Sequence, residues 1–315
     1  MVQIILIGLG AGAAAALMFA SALSGTMLSI VLFYLAPLPI MVAALGWSHW
    51  AGLLAALVAA IFLGLAVGFY FFAAFLTGIG APAWWLTYLA MLSRPNAEGS
   101  GGQAEWYPPG RLVLWAALLA ALVVTAALLA LGGDNDAIHS TLRSGIAAML
   151  PSEATGGDAP LGEIVDLFAT AMPPVAAVIA ALVLPCNLWL AGRVALLSGR
   201  LQRPWPDVAA MSFPPAAVAA LGVALGLSFL PDITGLVASL FAATLAVAFA
   251  ILGFAVMHAT TRGMAAGRGI LACTYALSVL MMWPIAIIAV LGLAETLFHL
   301  RARRGIGGPP IAPAA

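Results

Sequence analysis

MVQIILIGLGAGAAAALMFASALSGTMLSIVLFYLAPLPIMVAALG, residues 1–46, contains no Asp, Glu, Lys or Arg, and the first charged side chain of the whole sequence is Arg94. A soluble domain cannot leave so long a stretch without charge, because its surface must face water. In lipid the same stretch is unremarkable, provided every backbone N–H and C=O is satisfied within the segment, which selects helix. Residues 1–93 therefore read as membrane helices joined by very short turns.

Composition carries this reading over the rest of the 315 residues. Hydrophobic residues make up 64% of the chain and charged residues 7%, against about 25% charged in a soluble domain. Mean hydropathy is +1.14. The eleven basic residues are all Arg and are balanced by eleven acids, too few and too scattered for a nucleic-acid footprint. Cys186 and Cys273 lie in apolar stretches and read as small buried hydrophobes, with no disulfide or metal spacing. Residues 1–23 lack a basic leader and read as a first span rather than a cleaved signal.

A hydrocarbon core of about 30 Å needs about 20 helical residues. On that ruler the fold is an all-α polytopic bundle in one membrane domain, residues 1–304, with a disordered tail at 305–315. About eight spans are expected, at 3–23, 27–46, 50–76, 111–131, 169–191, 210–230, 233–257 and 270–294. The breaker GIGAP at 78–82 divides the long apolar run 50–92. Crossings at 50–66 and 68–92 are favoured over a re-entrant piece at 82–92. Residues 93–110 form a Gly- and Pro-rich linker.

The largest loop is 132–168. Ile138, Leu142, Ile146, Met149 and Leu150 recur there at helical spacing behind Asp134-Asn135-Asp136, and Pro151 ends the segment. A second stripe follows at Leu161, Ile164, Val165 and Phe168. Both read as short amphipathic helices at the membrane surface. Six acids against Arg143 place this loop outside, whereas Arg193, Arg200 and Arg203 place 192–209 inside. Arg262 and Arg268 also read as inside. Arg301, Arg303 and Arg304 do too, which a single crossing at 270–294 contradicts. Either Pro284 folds that segment into a hairpin, or the preceding spans are paired differently.

Small residues at i, i+4 recur at Gly8, Gly12, Ala16 and Ala20, at Gly64 and Gly68, and at Gly222 and Gly226. Such faces let helix backbones approach closely. Packing within the chain is the plainer reading, and the first-span stripe is the best candidate face for docking a second membrane protein. Most of the nine tryptophans fit an interfacial belt. Trp283, mid-span beside Pro284, fits it poorly and reads as filling space or lining a cavity. His258 and Glu295 fall at span ends, from which both can reach the interface.

No HExxH, GxSxG, GxxxxGK[ST] or strand-linked GxGxxG occurs, so an enzyme ranks last among the function classes. No metal or cofactor is implied. Pro37-Leu38-Pro39 breaks the second span and frees carbonyls. Asn187 is the strongly polar amide within a span and reads as an interhelical hydrogen bond or a ligand contact. Tyr275, Ser278 and Trp283 can share one broad face of their helix. With Asn187 they form the candidate site, and the lack of nearby charge points to a neutral or lipid-like ligand.

Three stretches carry a resemblance: LPCNLWLAGRVALLSGRLQRPWPD at 184–207, FAILGFAVMHATTRG at 249–263 and LGLAETLFHLRARR at 291–304. They resemble the YybS-like family of uncharacterised bacterial polytopic membrane proteins, with Glu295 in place of an expected Asp. That family is distantly similar to the substrate-binding components of energy-coupling-factor transporters and to the rod-shape protein MreD. The resemblance implies a multi-pass protein of the bacterial inner membrane. It also implies a ligand-binding or transport component, with a non-catalytic envelope scaffold as the alternative.

Overall fold

The computed structural model describes residues 1–95, 104–149 and 159–303. The expected helix end at Pro151, the side chains of Leu150 and Leu161, residues 96–103 of the 93–110 linker and the tail at 305–315 lie outside the described residues. Among those described, seven helical runs are long and apolar enough to cross a membrane: Val2–Ser24, Met27–Gly46, His49–Ala66, Phe69–Ala90, Pro109–Leu131, Gly162–Leu197 and Asp232–Thr261. The only strands there are the two-residue pair β1 (Ser93–Arg94) and β2 (Glu105–Trp106). This is an all-α, multi-pass membrane protein.

The chain folds as two compact units. The first comprises Met1–Tyr107 with Leu119–Trp205. It contains α1 (Val2–Ala20), α2 (Met27–Tyr34), α3 (Pro37–Gly46), α4 (His49–Ala66), α5 (Phe69–Phe75) and α6 (Ala81–Ala90). The later part of α7 (Pro109–Leu131), α8 (Asn135–Met149) and α9 (Ala159–Leu197) complete it. Its core is built from alanine: Ala15, Ala16, Ala43, Ala51, Ala55, Ala59 and Ala83 are all essentially inaccessible. Small side chains let helix axes approach, so dispersion contacts accumulate without any hydrophobic drive between helices. Ile40, Met41, Leu63, Phe75 and Leu86 join this core, while Leu6, Leu17, Leu65 and Tyr70 face outward, which is where lipid replaces water.

The small-residue stripe of α1 packs on α4. A Cβ on Gly12 would lie 2.7 Å from the Ala55 carbonyl oxygen and 2.9 Å from Val58 Cβ, and one on Gly8 2.7 Å from Leu54. Ala16 is fully buried and Ala20 half-buried. At Gly8 and Gly12 this face meets the chain's own fourth helix, the plainer of the two readings of the stripe. Gly68, with φ +135°, ends α4 in a conformation that side chains rarely adopt. GIGAP does not break the next helix. Leu76–Gly80 widens by one residue per turn, with the Ala81 N–H donating to Leu76 O, and the helix resumes.

Several expected elements are built differently. The second amphipathic stripe is not a separate helix but the opening turns of α9. At 39 residues that helix measures about 58 Å, longer than a bilayer core. α8 is a separate amphipathic helix, capped where the Ala137 N–H meets Asp134 Oδ1 at 2.7 Å, and tied to α9 by Arg143 and Asp166 at 3.0 Å. Cys186 and Cys273 are exposed on α9 and on the later helix α12 (Gly267–Met281) rather than buried.

The second unit comprises Pro108–Leu118 with the chain from Pro206 onward. It holds the first turns of α7, α10 (Ala216–Leu227), α11 (Asp232–Thr261), α12, α13 (Pro284–Phe298) and α14 (Leu300–Arg303). The stretch 210–230 is not one span: Pro214 and Pro215 lie just ahead of α10, which opens after them and runs for only 12 residues. Nor is 270–294 one span. Met282 takes φ +57°, and Pro284, lacking an N–H, opens a new helix. α12 and α13 have 15 residues each, about 22 Å, short of a bilayer core.

Around α11 the core of this unit gathers Ala117, Met211, Phe213, Ala217, Phe249 and Leu252. α11 and α13 touch backbone to backbone, since a Cβ on Gly253 would strike the Ile288 carbonyl and one on Gly292 the Phe249 carbonyl. Glu295, expected to reach the interface, is buried. Arg301 Nε donates to its Oε1 at 2.9 Å and the Arg301 backbone N–H to its Oε2 at 3.0 Å. The rest of the guanidinium donates to the carbonyls of Ala209 and Met211. Nearby, Arg262 pairs with Asp207 at 3.3 Å and its guanidinium holds that carboxyl below the usual range. Arg262 and Arg301 therefore converge on the same segment, 207–211. The arginines at the two ends of α12–α13 lie on one side of the unit, as a hairpin requires.

Candidate functional site

Because Met282 and Pro284 fold the chain, α12 and α13 make a V against α11. Thr274 and Leu291, about 25 Å apart on a continuous helix, line the same groove of about 270 Å³. Met257 contributes from α11, Leu277 from α12, and Trp283, Pro284, Ile287 and Ile288 from the bend and α13. No lining residue is charged. The hydroxyl of Thr274 is turned away, donating to Ile270 O at 2.8 Å within its own helix. The groove can therefore hold an apolar chain by shape and dispersion, and has nothing with which to pair a charge.

One edge is fixed by the neighbours of Met257 and Thr274. The Tyr275 ring stacks on Phe254 with centroids 4.7 Å apart, and its hydroxyl lies 2.9 Å from His258 Nε2. α13 is held by the Gly253–Gly292 contact and by Arg301. Hence the V is set from both ends.

The four expected site residues separate. Trp283 lines the groove and is 61% exposed, so it does not fill space between helices. Tyr275 flanks it. Ser278 is buried, with its hydroxyl donating to Thr274 O at 2.7 Å. Asn187 belongs to the first unit, where its Nδ2 donates to Tyr34 O at 2.9 Å and to Val183 O at 2.9 Å. Tyr34 O is one of the carbonyls freed by the break before Pro37, since the Leu38 N–H turns to Leu35 O. Asn187→Leu should accordingly lower stability by about 1 kcal/mol, read as an earlier midpoint of unfolding in sodium dodecyl sulfate. An unchanged midpoint would mean that the kink does not depend on this amide.

Sequence reasoning missed Met257, Leu277, Ile287 and Leu291, which are ordinary lipid-compatible residues individually. The readable signal was Pro284, whose hairpin alternative brings them together. Among the described residues no group of three or more His, Cys, Asp or Glu could hold a metal ion. No family model matches the chain, and neither a curated protein nor a solved structure matches it.

Proposed function

We propose that the protein is a ligand-binding component of a membrane transport system, taking a neutral, lipid-like molecule whose chain lies in the α11–α12–α13 groove. The observation that carries this reading is a groove of about 270 Å³ with uncharged walls, opening on helices whose outward faces suit lipid. As part of the same proposal, membership of the YybS-like family, suggested by residues 184–207, 249–263 and 291–304, would place the protein in a bacterial inner membrane. No residue of the groove is a general acid or base, which favours binding over catalysis. The alternative, a non-catalytic envelope scaffold, is favoured by the close alanine packing of the first unit.

The test is photolabelling of the purified protein with a long-chain alcohol carrying a diazirine. Crosslinks should concentrate at Met257, Leu277 and Ile287. Ile287→Trp displaces about two methylenes of chain at about 0.8 kcal/mol each, so labelling there should fall about tenfold. Crosslinks spread evenly over α1 at Ile5, Leu6 and Leu9 would reduce the groove to ordinary lipid contact and favour the scaffold.

A further inference from the structure

At one end of the first unit α3 stops, α4 starts, and α6 and α9 run out. A strap of chain, Gly199–Trp205, lies there among aromatic rings. Arg200 sits over the Trp47 ring at 4.4 Å and is itself exposed. Arg203 is buried, 5.9 Å from the Trp106 ring, with Nη1 donating to Ala90 O at 2.8 Å and Nη2 to Tyr107 O at 3.5 Å. Its Nε has no hydrogen-bond partner among the described residues. Burial pushes this guanidinium below its ordinary pKa.

Carbonyls and a ring face supply partial charge, yet a buried cation needs a full counter-charge to offset its desolvation. None of the described carboxylates pairs with Arg203; the ion pairs there involve Arg143, Arg262 and Arg301. Glu105 is the nearest acid along the chain to Trp106. Successive strand residues point to opposite faces, so Glu105 turns away from the ring that Arg203 meets, and lies across from Arg94. A site with a buried guanidinium that no described carboxylate pairs, an exposed second one three residues earlier, and flanking indoles is suited to a phosphate.

We infer that Arg200 and Arg203 bind the phosphate of an anionic phospholipid headgroup at this end of the first unit. The lipid source follows from position. The strap closes the ends of membrane-length helices, and Trp47 and Trp50 lie at the ends of two of them, the position at which interfacial tryptophans meet headgroups. This inference is independent of the groove in the second unit.

The full chain in a neutral maltoside detergent is titrated with dioleoyl phosphatidylglycerol or dioleoyl phosphatidylcholine, and bound lipid is counted by native mass spectrometry. A third arm uses inorganic phosphate. The anionic lipid should be retained over the zwitterionic one, and Arg200→Gln, at an exposed position, should weaken it about fivefold. Arg203→Gln should weaken it further if it folds, whereas Arg268→Gln in the second unit should leave it unchanged. Equal retention of the two lipids overturns the inference. So does an Arg268→Gln loss matching that of Arg200→Gln, which would mean diffuse attraction. Displacement of the lipid by millimolar inorganic phosphate would assign the pair to a soluble anion and overturn the lipid reading.

Discussion

Glu295→Leu is expected to cost the protein about 3–5 kcal/mol, because it leaves the buried guanidinium of Arg301 without its carboxylate. The two side chains are 8% and 9% exposed and meet at 2.9 Å. His299 makes the geometry possible. It adopts φ +50° after its N–H has donated to Glu295 O at 2.9 Å, and the chain reverses so that Arg301 returns to Glu295. From there the guanidinium reaches Met211 O at 2.6 Å and also Ala209 O. The pair thus anchors the segment that leads into α10. Thermal unfolding in detergent should show the loss, together with faster proteolysis near 207–213. The double variant Glu295→Leu/Arg301→Met removes both charges and should recover a large part of it. A double variant as unstable as the sum of the two single ones would sink the argument, because the damage would then come from shape rather than from an unpaired charge.

Membrane character was legible in residues 1–93 because the absence of charge is a property of a whole stretch and survives any error in its boundaries. The bend at Met282–Pro284 was legible only as an alternative, since Pro284 marks a break without saying which way the chain turns. Deciding it needed Arg301, and Arg301 could not be read. In the sequence it is one of three tail arginines, and nothing local says that it returns to Glu295 and then to carbonyls ninety residues earlier. Asn187 was legible as an interhelical hydrogen bond in type, but its acceptor, Tyr34 O, is identified only by the kink that frees it. Ser278 illustrates the opposite case. Sharing a helix face with Trp283 made it look like a ligand contact, yet a buried hydroxyl in an apolar helix finds the carbonyl four residues back.

Gly253→Leu and Gly292→Leu should be about as damaging as loss of the Glu295 carboxylate, each costing about 3 kcal/mol or more. At these positions the side chain would meet the backbone of the opposite helix, Ile288 O or Phe249 O, rather than a flexible side chain. The helices must then separate, and with them the α11 wall and the α13 wall of the groove. Even alanine should be destabilising here. The comparison with α10 makes this decisive: Gly222 and Gly226 show the i, i+4 spacing that Gly253 and Gly292 lack, yet a Cβ on either meets nothing within 4 Å. Alanine at 222 or 226 should therefore stabilise slightly, by about 0.5–1 kcal/mol, from helix propensity alone. Stability in detergent, paired with diazirine labelling at Ile287, measures both consequences. If alanine at 253 and 292 is tolerated as well as at 222 and 226, the close approach of α11 and α13 is wrong, and the geometry of the groove falls with it.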